Sequence, residues 1–371
     1  MKPALILIFL IVLAVLGFLV FKYVLSIAPI ADKVTSSGGT GGIFKSVDQG
    51  ENWTQLAVVK EKKESGNIKI SDLNIYDIEI SSQDSQVIFA GTAGNGLAKS
   101  VDGGISWKKV GKGALTSGAD VVSIAIDPKN PQNIYLATYS GDRGRVLKSV
   151  DMGENFKEVF ITNTDKIKVS QVEVDNYDNS FIFAAISDGL FLGSKDFGES
   201  WQNIRTFDDP IEKFVFNPRD TREVYVSLGK DGLFNSVDKG ETWNDLGEKL
   251  SEKMKELYSR YSMGEIKEIS IDQQSSKVFI GAESKILFSG DKGANFEEIK
   301  SFPAGTDFKL SVIAIDFLDS LKIYVGGGSQ VYKSIDGGSQ WKVKKLNSKK
   351  NISVLKIDPA NPAVIYVGFG K

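Results

Sequence analysis

The residues with the clearest chemical potential in this chain are seven aspartates that recur in one fixed pattern. Each lies in an eight-residue stretch, such as SVDGGISW (100–107), with Ser first, Asp third, Gly fifth and Trp or Phe last. Repeated carboxylates in glycine-rich turns suggest Ca²⁺, but each turn supplies one carboxylate and calcium takes about six to eight oxygens. We therefore expect no metal site and a structural role for Asp48, Asp102, Asp151, Asp196, Asp238, Asp291 and Asp336.

Two residue types are absent, and their absence limits the available chemistry. The chain of 371 residues contains no His and no Cys. This excludes a Ser–His–Asp triad, a cysteine nucleophile, disulfides and zinc held by His or Cys. Catalysis would have to use carboxylates, Tyr, Lys or Arg. The formal net charge of −2 gives no sign of a nucleic-acid partner, and no motif indicates a cofactor.

The elements that carry these aspartates also repeat. Seven 15-residue stretches align without a gap, and each has two β-rich segments around a turn rich in Asp, Asn, Pro and Ser, which predicts a hairpin. A short strand then leads into the Asp motif, and a fourth opens on its Trp or Phe. Each repeat is thus four antiparallel strands, A to D, the size of one propeller blade; a sandwich or solenoid is the alternative. The hairpins are 78–92, 124–138, 172–186, 214–228, 269–283, 313–327 and 355–369.

The two chain ends complete one repeat between them. The first motif, 46–53, has no hairpin before it, and the last hairpin, 355–369, has no motif after it. If Lys371 lies beside about Gly38–Ile43, strands from both ends share one blade and no sheet edge stays exposed. The sequence therefore predicts an all-β, seven-bladed β-propeller of four-stranded antiparallel blades, closed by two strands from each terminus.

Within such a blade each residue of the motif has a structural task. The Asp carboxylate accepts backbone N–H bonds in the turn between strands C and D, and the Ser hydroxyl ties back to the same turn. The Gly supplies a positive φ angle. Burial of the final aromatic ring between blades contributes roughly 1.5–3 kcal/mol for a Phe-sized side chain.

At these motifs the sequence resembles the Asp-box (BNR-repeat) propellers over residues 43 to 371. That group includes sialidases, xyloglucanase-type glycosidases, sortilin-like receptors and the photosystem II assembly factor family. A motif shared so widely specifies the fold better than the function. In length and in its single propeller, the chain is most similar to the assembly factor family, in which one propeller follows an extracytoplasmic anchor.

The resemblance implies two kinds of enzyme, and the sequence matches neither closely. Sialidases carry an arginine in an Arg-Ile-Pro-like stretch, which is absent here. Xyloglucanase-type enzymes place two carboxylates across a cleft between two propellers, whereas this chain supplies one propeller. We therefore expect no catalytic residues and a non-catalytic protein- or peptide-binding or assembly scaffold. The alternative is a carboxylate-dependent glycoside hydrolase of the sialidase or xyloglucanase-like type, with two carboxylates about 5–10 Å apart in a concave pocket.

Variable loops on one face of the disc are the predicted binding surface. Strand order places the A–B and C–D turns on one face and the B–C and D–A loops on the other, where recognition by a protein or peptide partner is expected. Residues 246–261 have apolar positions at helical spacing and predict an amphipathic helix over about 247–261, which either packs on the propeller or docks a partner. The candidate partner-binding residues are Tyr139, Arg143, Arg145, Arg205, Phe207, Tyr258 and Arg260.

The N-terminus predicts a membrane anchor. Residues 4–21 form an unbroken apolar run, longer than the core of a signal peptide, although a cleaved signal and a buried helix are alternatives. We expect a signal-anchor transmembrane helix within 1–31, a flexible tether at 32–42 and the propeller at 43–371. The short tail before the run favours a single-pass membrane protein with the propeller outside the cytoplasm.

Overall fold

The computed structural model describes residues 41–56, 68–229, 232–258, 266–282, 284–303 and 308–370. In this part of the chain the strands form seven separate sheets. The innermost strand of each sheet contacts the innermost strands of both neighbouring sheets, and the last contacts the first. This confirms a seven-bladed β-propeller of four-stranded antiparallel blades around a central channel.

The strands of each blade run from the channel outward in the order A, B, C, D. Blades are numbered 1 to 7 from the first A strand along the chain. The A strands are Ile75–Ile80, Asp120–Ile126, Val169–Val174, Ile211–Asn217, Ile266–Ile271, Leu310–Asp316 and Asn351–Asp358. The B strands are Ile88–Thr92, Ile134–Ser140, Ile182–Ile186, Asp220–Leu228, Val278–Ala282, Asp319–Gly327 and Asn361–Gly370.

The outer half of each blade carries the shorter strands. The C strands are Gly96–Ser100, Arg143–Ser149, Leu190–Ser194, Leu233–Ser236, Lys285–Ser289, Gln330–Ser334 and Gly42–Ser46. The D strands are Lys108–Val110, Asn155–Ile161, Gln202–Thr206, Asn244–Asp245, Glu297–Glu298, Lys342–Lys345 and Thr54–Gln55. Blade 2 gains a fifth strand, Lys112–Gly113, which pairs in parallel with Asn155–Ile161.

Blade 7 is built from both ends of the chain, as the sequence predicts. Gly42–Ser46 pairs antiparallel with the last strand, so that Gly42 lies opposite Phe369 and Ser46 opposite Ile365. Lys371 itself lies outside the described residues. The rings of Phe44 and Phe369 pack edge to face, 5.2 Å apart, inside this blade.

A helix interrupts the connection from blade 4 to blade 5. It runs from Gly247 to Tyr258, and Leu250 and Met254 on its inner side are buried against blade 5. A short 3-10 helix, Ile70–Asp72, precedes blade 1. Among the described residues, no helix combines the length and apolar character needed to cross a bilayer. The predicted anchor at 1–31 and most of the predicted tether lie outside those residues.

Candidate active site in the central channel

The central channel is a cavity of about 920 Å³ bounded by the A strands of all seven blades. Each A strand carries a β-bulge near its start, for example between Ile75 and Asp77 in blade 1. Beyond the bulge, side chains alternate between the packed core and the channel side. The channel wall is therefore defined by a few positions of each A strand.

Two rings of equivalent positions line this wall after the bulges. The ring nearer the D–A loops contains Asp77, Ser123, Gln171, Lys213, Glu268, Val312 and Val354. The ring nearer the A–B turns contains Glu79, Ala125, Glu173, Val215, Ser270, Ala314 and Lys356. Asp77, Glu173, Glu268, Lys213 and Lys356 line the channel cavity itself. Glu79 lies beside Lys356 and lines a smaller adjoining cavity.

Lys356 is the cation at the centre of the acidic group. Its Nζ lies 2.9 Å from Glu79 Oε2, which gives Glu79 a direct counter-ion. Burial opposes the charge of Lys356, but Glu79, Asp77 and Glu173 together raise the pKa of this lysine above its usual value. Lys356 and Glu79 also line a smaller adjoining cavity of about 180 Å³ at the A–B turn end.

Asp77 is held in place by the backbone. Ile78 N–H donates to its Oδ1 and Ile124 N–H to its Oδ2, each at 2.8 Å, so the side chain links blade 1 to blade 2. Enclosure in the channel wall raises the pKa of Asp77 to about 6, Lys356 opposes this shift and Glu79 adds to it. Because both oxygens already accept hydrogen bonds, Asp77 is suited to holding the wall together.

Glu173 has freer surroundings. The side-chain amide of Gln171 donates to its Oε1 at 3.2 Å, and no ion pair to it forms within the described residues. Burial raises the pKa of Glu173 to about 7, Lys356 opposes this shift and Glu79 adds to it. The pKa of Glu173 therefore lies close to neutral pH.

Glu268 forms a separate pair on the far side of the channel. Its carboxylate bonds to Lys213 Nζ, and its side chain is almost fully buried. Burial raises the pKa of Glu268 and Lys213 opposes the shift. In the part of the chain that the structure describes, no group of three or more acidic side chains is arranged to hold a metal ion.

Sequence reasoning missed this cluster, although the aligned hairpins contain its signal. Glu79, Glu173 and Lys356 all occupy the second position of their 15-residue stretch. An ionisable residue inside a β-rich segment, at a position that is Ala, Val or Ser in the other repeats, marks an unusual wall position.

The loop residues predicted to bind a partner are mostly engaged within blade 2. Arg143 pairs with Asp165 and Arg145 with Glu158, each at 2.9 Å. Tyr139 donates to Asp142 and lies under the ammonium group of Lys168. The structure brings these three side chains to one loop, where internal ion pairs hold both arginines.

The other predicted binding residues lie apart from that loop. The Arg205 guanidinium stacks on Phe207 and Phe234, 4.7 and 4.9 Å from their ring centres, and Phe207 is buried. Tyr258 ends the helix. Arg260 lies outside the described residues. Arg205 and Phe207 line a pocket other than the channel cavity.

The seven motif aspartates all lie in C–D turns with one shared geometry. In blade 1, Ser100 Oγ donates to Asp102 Oδ1 at 2.7 Å, and Ser106 N–H and Oγ both donate to the same carboxylate. Gly104 N–H donates to Ser100 Oγ, and Gly104 has a φ of 91°. The Trp107 ring is buried, and its Nε1–H donates to Gly104 O. The turns are internally bonded and present no free carboxylate.

Comparisons with known proteins return propellers. No protein-family model matches the chain. An oligoxyloglucan-reducing end-specific xyloglucanase of Emericella nidulans is 26% identical over 153 residues, 34% of this chain and 18% of that protein. A xyloglucanase of Acetivibrio thermocellus is 23% identical over 162 residues, 33% of this chain and 19% of that protein. The matches thus span about a fifth of the length of these curated relatives.

Solved structures share the fold at low identity. A GH74 xyloglucanase from Xanthomonas campestris has a TM-score of 0.64 and 16% identity, over 80% of this chain and 51% of that one. YCF48 bound to a D1 peptide has a TM-score of 0.61 and 13% identity, over 85% of this chain and all of that one. These likenesses establish the fold. Membership of the Asp-box family stays a prediction from the motifs.

The expectation that the chain is not an enzyme was wrong by these comparisons. The curated relatives are xyloglucanases, and GH74 enzymes recur among the structural neighbours. The sequence motifs mark only the aspartates of the turns, whereas Asp77, Glu79, Glu173 and Glu268 lie on or beside A strands, where no local motif marks them.

Proposed function

We propose that this chain is a glycoside hydrolase with Glu173 as its general acid and Glu79 as the partner carboxylate. The observation that carries the proposal is the contrast between two carboxylates at equivalent positions of two A strands. Glu79 has the ammonium group of Lys356 at 2.9 Å, whereas Glu173 has an amide neighbour and a pKa raised to about 7. Two carboxyl groups in different surroundings can divide the roles of acid and base between them.

The reaction follows from these two roles. Glu173 donates its proton to the glycosidic oxygen as the bond from that oxygen to the anomeric carbon breaks. Glu79, paired with Lys356, removes a proton from the water that attacks the anomeric carbon as the glycosidic bond breaks. The products are a new reducing end and a free hydroxyl on the leaving sugar. Lys356 acts as a positioning residue, since its ammonium group bonds Glu79.

The substrate class comes from the relatives. The curated relatives act, by their names, on xyloglucan. We propose that the substrate of this chain is likewise a β-linked glucan with a neutral backbone. The channel supports this proposal, because its volume of about 920 Å³ is larger than one sugar ring and lies in the range of ligand-binding pockets.

The test is hydrolysis of xyloglucan and of unsubstituted β-glucans, measured as the release of reducing ends. We expect Glu173→Gln and Glu79→Gln each to lower kcat by about 10²–10⁴, since each removes one proton-transfer group. The alkaline limb of the wild-type pH profile should fall near pH 7, because Glu173 must be protonated and its pKa is about 7.

Glu268→Gln is the matched control. It changes a carboxylate of the same channel that is already paired with Lys213 and is not assigned a catalytic role. It should keep kcat within about tenfold of wild type. Undiminished hydrolysis by both the Glu173 and Glu79 variants, or no hydrolysis by the folded wild type on any glucan, would contradict the proposal.

A second candidate function is binding of an extended peptide. The observation that favours it is coverage: the peptide-bound YCF48 structure aligns over its whole length, whereas the GH74 neighbour aligns over 51% of its chain. Under this alternative, the residues in the loops of blade 2 that the sequence analysis singled out would contact the peptide. Peptide binding would then weaken when Arg143 and Arg145 are changed to Ala, and Glu173→Gln would leave it unchanged.

A further inference from the structure

Neighbouring blades are joined at their outer rims by a side chain that recurs at one position. The residue just before the motif Ser, on strand C, reaches the C–D turn of the next blade. Lys45 Nζ donates to Gly103 O, Lys99 Nζ to Met152 O and Asn235 Nδ2 to Lys292 O, each at 2.9 Å. Lys148 and Lys333 pair with Glu199 and Glu51 in the same way, at 2.9 and 2.8 Å.

The boundary between blades 3 and 4 lacks this connection. Blade 5 has Phe288 at the position, whose ring fills the space against blade 6, but blade 3 has Gly193. A second link is missing too. Tyr366 and Tyr135 donate from strand B to the next blade's turn in blades 7 and 2, whereas blade 3 has Phe183, which carries no hydroxyl.

The consequence is an open cleft of about 590 Å³ on the rim between blades 3 and 4. Ile204 and the half-buried Phe181 contribute apolar surface to its lining, whereas the Phe183 ring that stacks on Phe181 is buried. Lys239 Nζ lies 4.3 Å from the centre of the Phe181 ring, so the exposed part of that ring is limited. Lys195, Gln202 and Glu241 contribute exposed polar groups. The cleft therefore combines an apolar part with hydrogen-bond donors and acceptors, in the size range of small-molecule sites.

The charges of the cleft do not select a charged ligand. Arg222 is paired with Asp220, and Lys239 with Asp175. The carboxylate of Asp238 is occupied by donors of its own turn. Within the described residues, the lining charges that form no ion pair and no turn bond are Lys195 and Glu241, one of each sign. A neutral ligand with an apolar face and a polar edge fits these surroundings.

We propose that this cleft between blades 3 and 4, opened by Gly193, is a binding site for a neutral saccharide unit. A pyranose ring presents C–H groups on its faces and hydroxyls at its edge, so it can contact Ile204 and the exposed part of Phe181 while Gln202, Lys195 and Glu241 bond its hydroxyls. The site lies on the rim, away from the channel. It therefore goes beyond the proposed hydrolysis, and its occupancy does not depend on catalysis at Glu173.

The test uses a mixture of xyloglucan oligosaccharides as the probe and the indole N–H signals of the full chain in ¹H–¹⁵N spectra. Trp243 packs against Gly240 at the edge of the cleft. Trp201 of blade 3 packs toward blade 2, and Trp53, Trp107 and Trp341 lie in blades 7, 1 and 6. We expect the Trp243 signal to shift with saturation, more than the other four. Glu173→Gln should bind with the wild-type dissociation constant, which separates this site from the proposed active site.

Gly193→Lys restores the residue type that joins blades at the equivalent position elsewhere. A Cβ at Gly193 would meet the end of the flexible Ile204 side chain, which can turn aside. We expect the variant to fold and to bind the oligosaccharides at least about tenfold more weakly. Gln202→Ala, which leaves the packing untouched, should weaken binding in the same direction. Wild-type affinity in both variants, or no selective shift of Trp243 with the wild type, would overturn the proposal.

Discussion

At the scale of single residues, the same carboxyl group has opposite properties in the turns and in the channel. In the turn of blade 2, the side chain and backbone of Asn155 and the Ser149 hydroxyl donate to Asp151 and lower its pKa to about 2. In the channel wall, Asp77 also accepts two N–H bonds, yet enclosure raises its pKa to about 6. Burial outweighs hydrogen bonding for Asp77 because the ionised group loses its water on all sides.

This difference predicts how stability depends on pH. Glu173 binds its proton more tightly in the folded chain, with a pKa of about 7, than in the unfolded chain, where a Glu titrates near 4.5. The folded state therefore holds more protons between these values, and the free energy of unfolding falls as pH rises from about 4.5 to 7. Glu173→Gln should remove this loss and stabilise the fold at pH 8 by on the order of 1–3 kcal/mol, with little effect at pH 4.5.

Urea unfolding of both proteins at the two pH values checks this. Glu158→Gln, a change of a carboxylate on an outer strand that is paired with Arg145, provides the control for general effects of charge removal. The change that Glu158→Gln makes to the free energy of unfolding should not become more stabilising between pH 4.5 and pH 8. Equal stability of wild type and Glu173→Gln at pH 8 would mean that Glu173 is well solvated.

At the scale of elements, the sequence predicted turns and hairpins well and side-chain directions poorly. The C–D turns depend on local Ser, Asp and Gly contacts, which a motif records directly. The bulges in the A strands leave no local signature, because Tyr76, Ser170 and Lys267 at the bulge share no residue type. A bulge shifts the alternation of side chains, so it decides whether Glu79 and Glu173 face the channel or the core.

The turns themselves offer a stability prediction. Asp102→Ala in blade 1 removes the acceptor for Ser100 and for both donors of Ser106. We expect the free energy of unfolding to fall by about 1.5–3 kcal/mol, the usual loss for hydrogen bonds to a charged group. Glu252→Ala on the exposed side of the helix is the control and should stay within about 0.5 kcal/mol. Chemical denaturation measures both, and equal stability of the two variants would argue against a structural role for the motif.

At the scale of the whole molecule, closure makes seven similar units into one cooperative structure. Each blade packs its apolar residues against the next, and blade 7 joins the start of the chain to its end through the pairing of Gly42–Ser46 with the last strand. The repeat pattern predicted this closure because the incomplete first and last units add up to one blade. The channel exists only in the closed ring, since its wall needs the A strands of all seven blades.

Closure predicts that damage in blade 7 destabilises every blade together. Phe369 is fully buried and packs on Phe44 across the junction of the two chain ends, so Phe369→Ala should lower the free energy of unfolding by about 3–5 kcal/mol.

The five tryptophans report from blades 7, 1, 3, 4 and 6, while far-UV circular dichroism reports from all strands. Because an open ring exposes two unpaired sheet edges, both signals should still change in a single coincident transition, at lower denaturant. Val343→Ala, at an exposed position of strand D in blade 6, should leave that transition in place. Separate transitions for the two signals in Phe369→Ala would show that the blades are stable without closure, and the channel would then not be a rigid site.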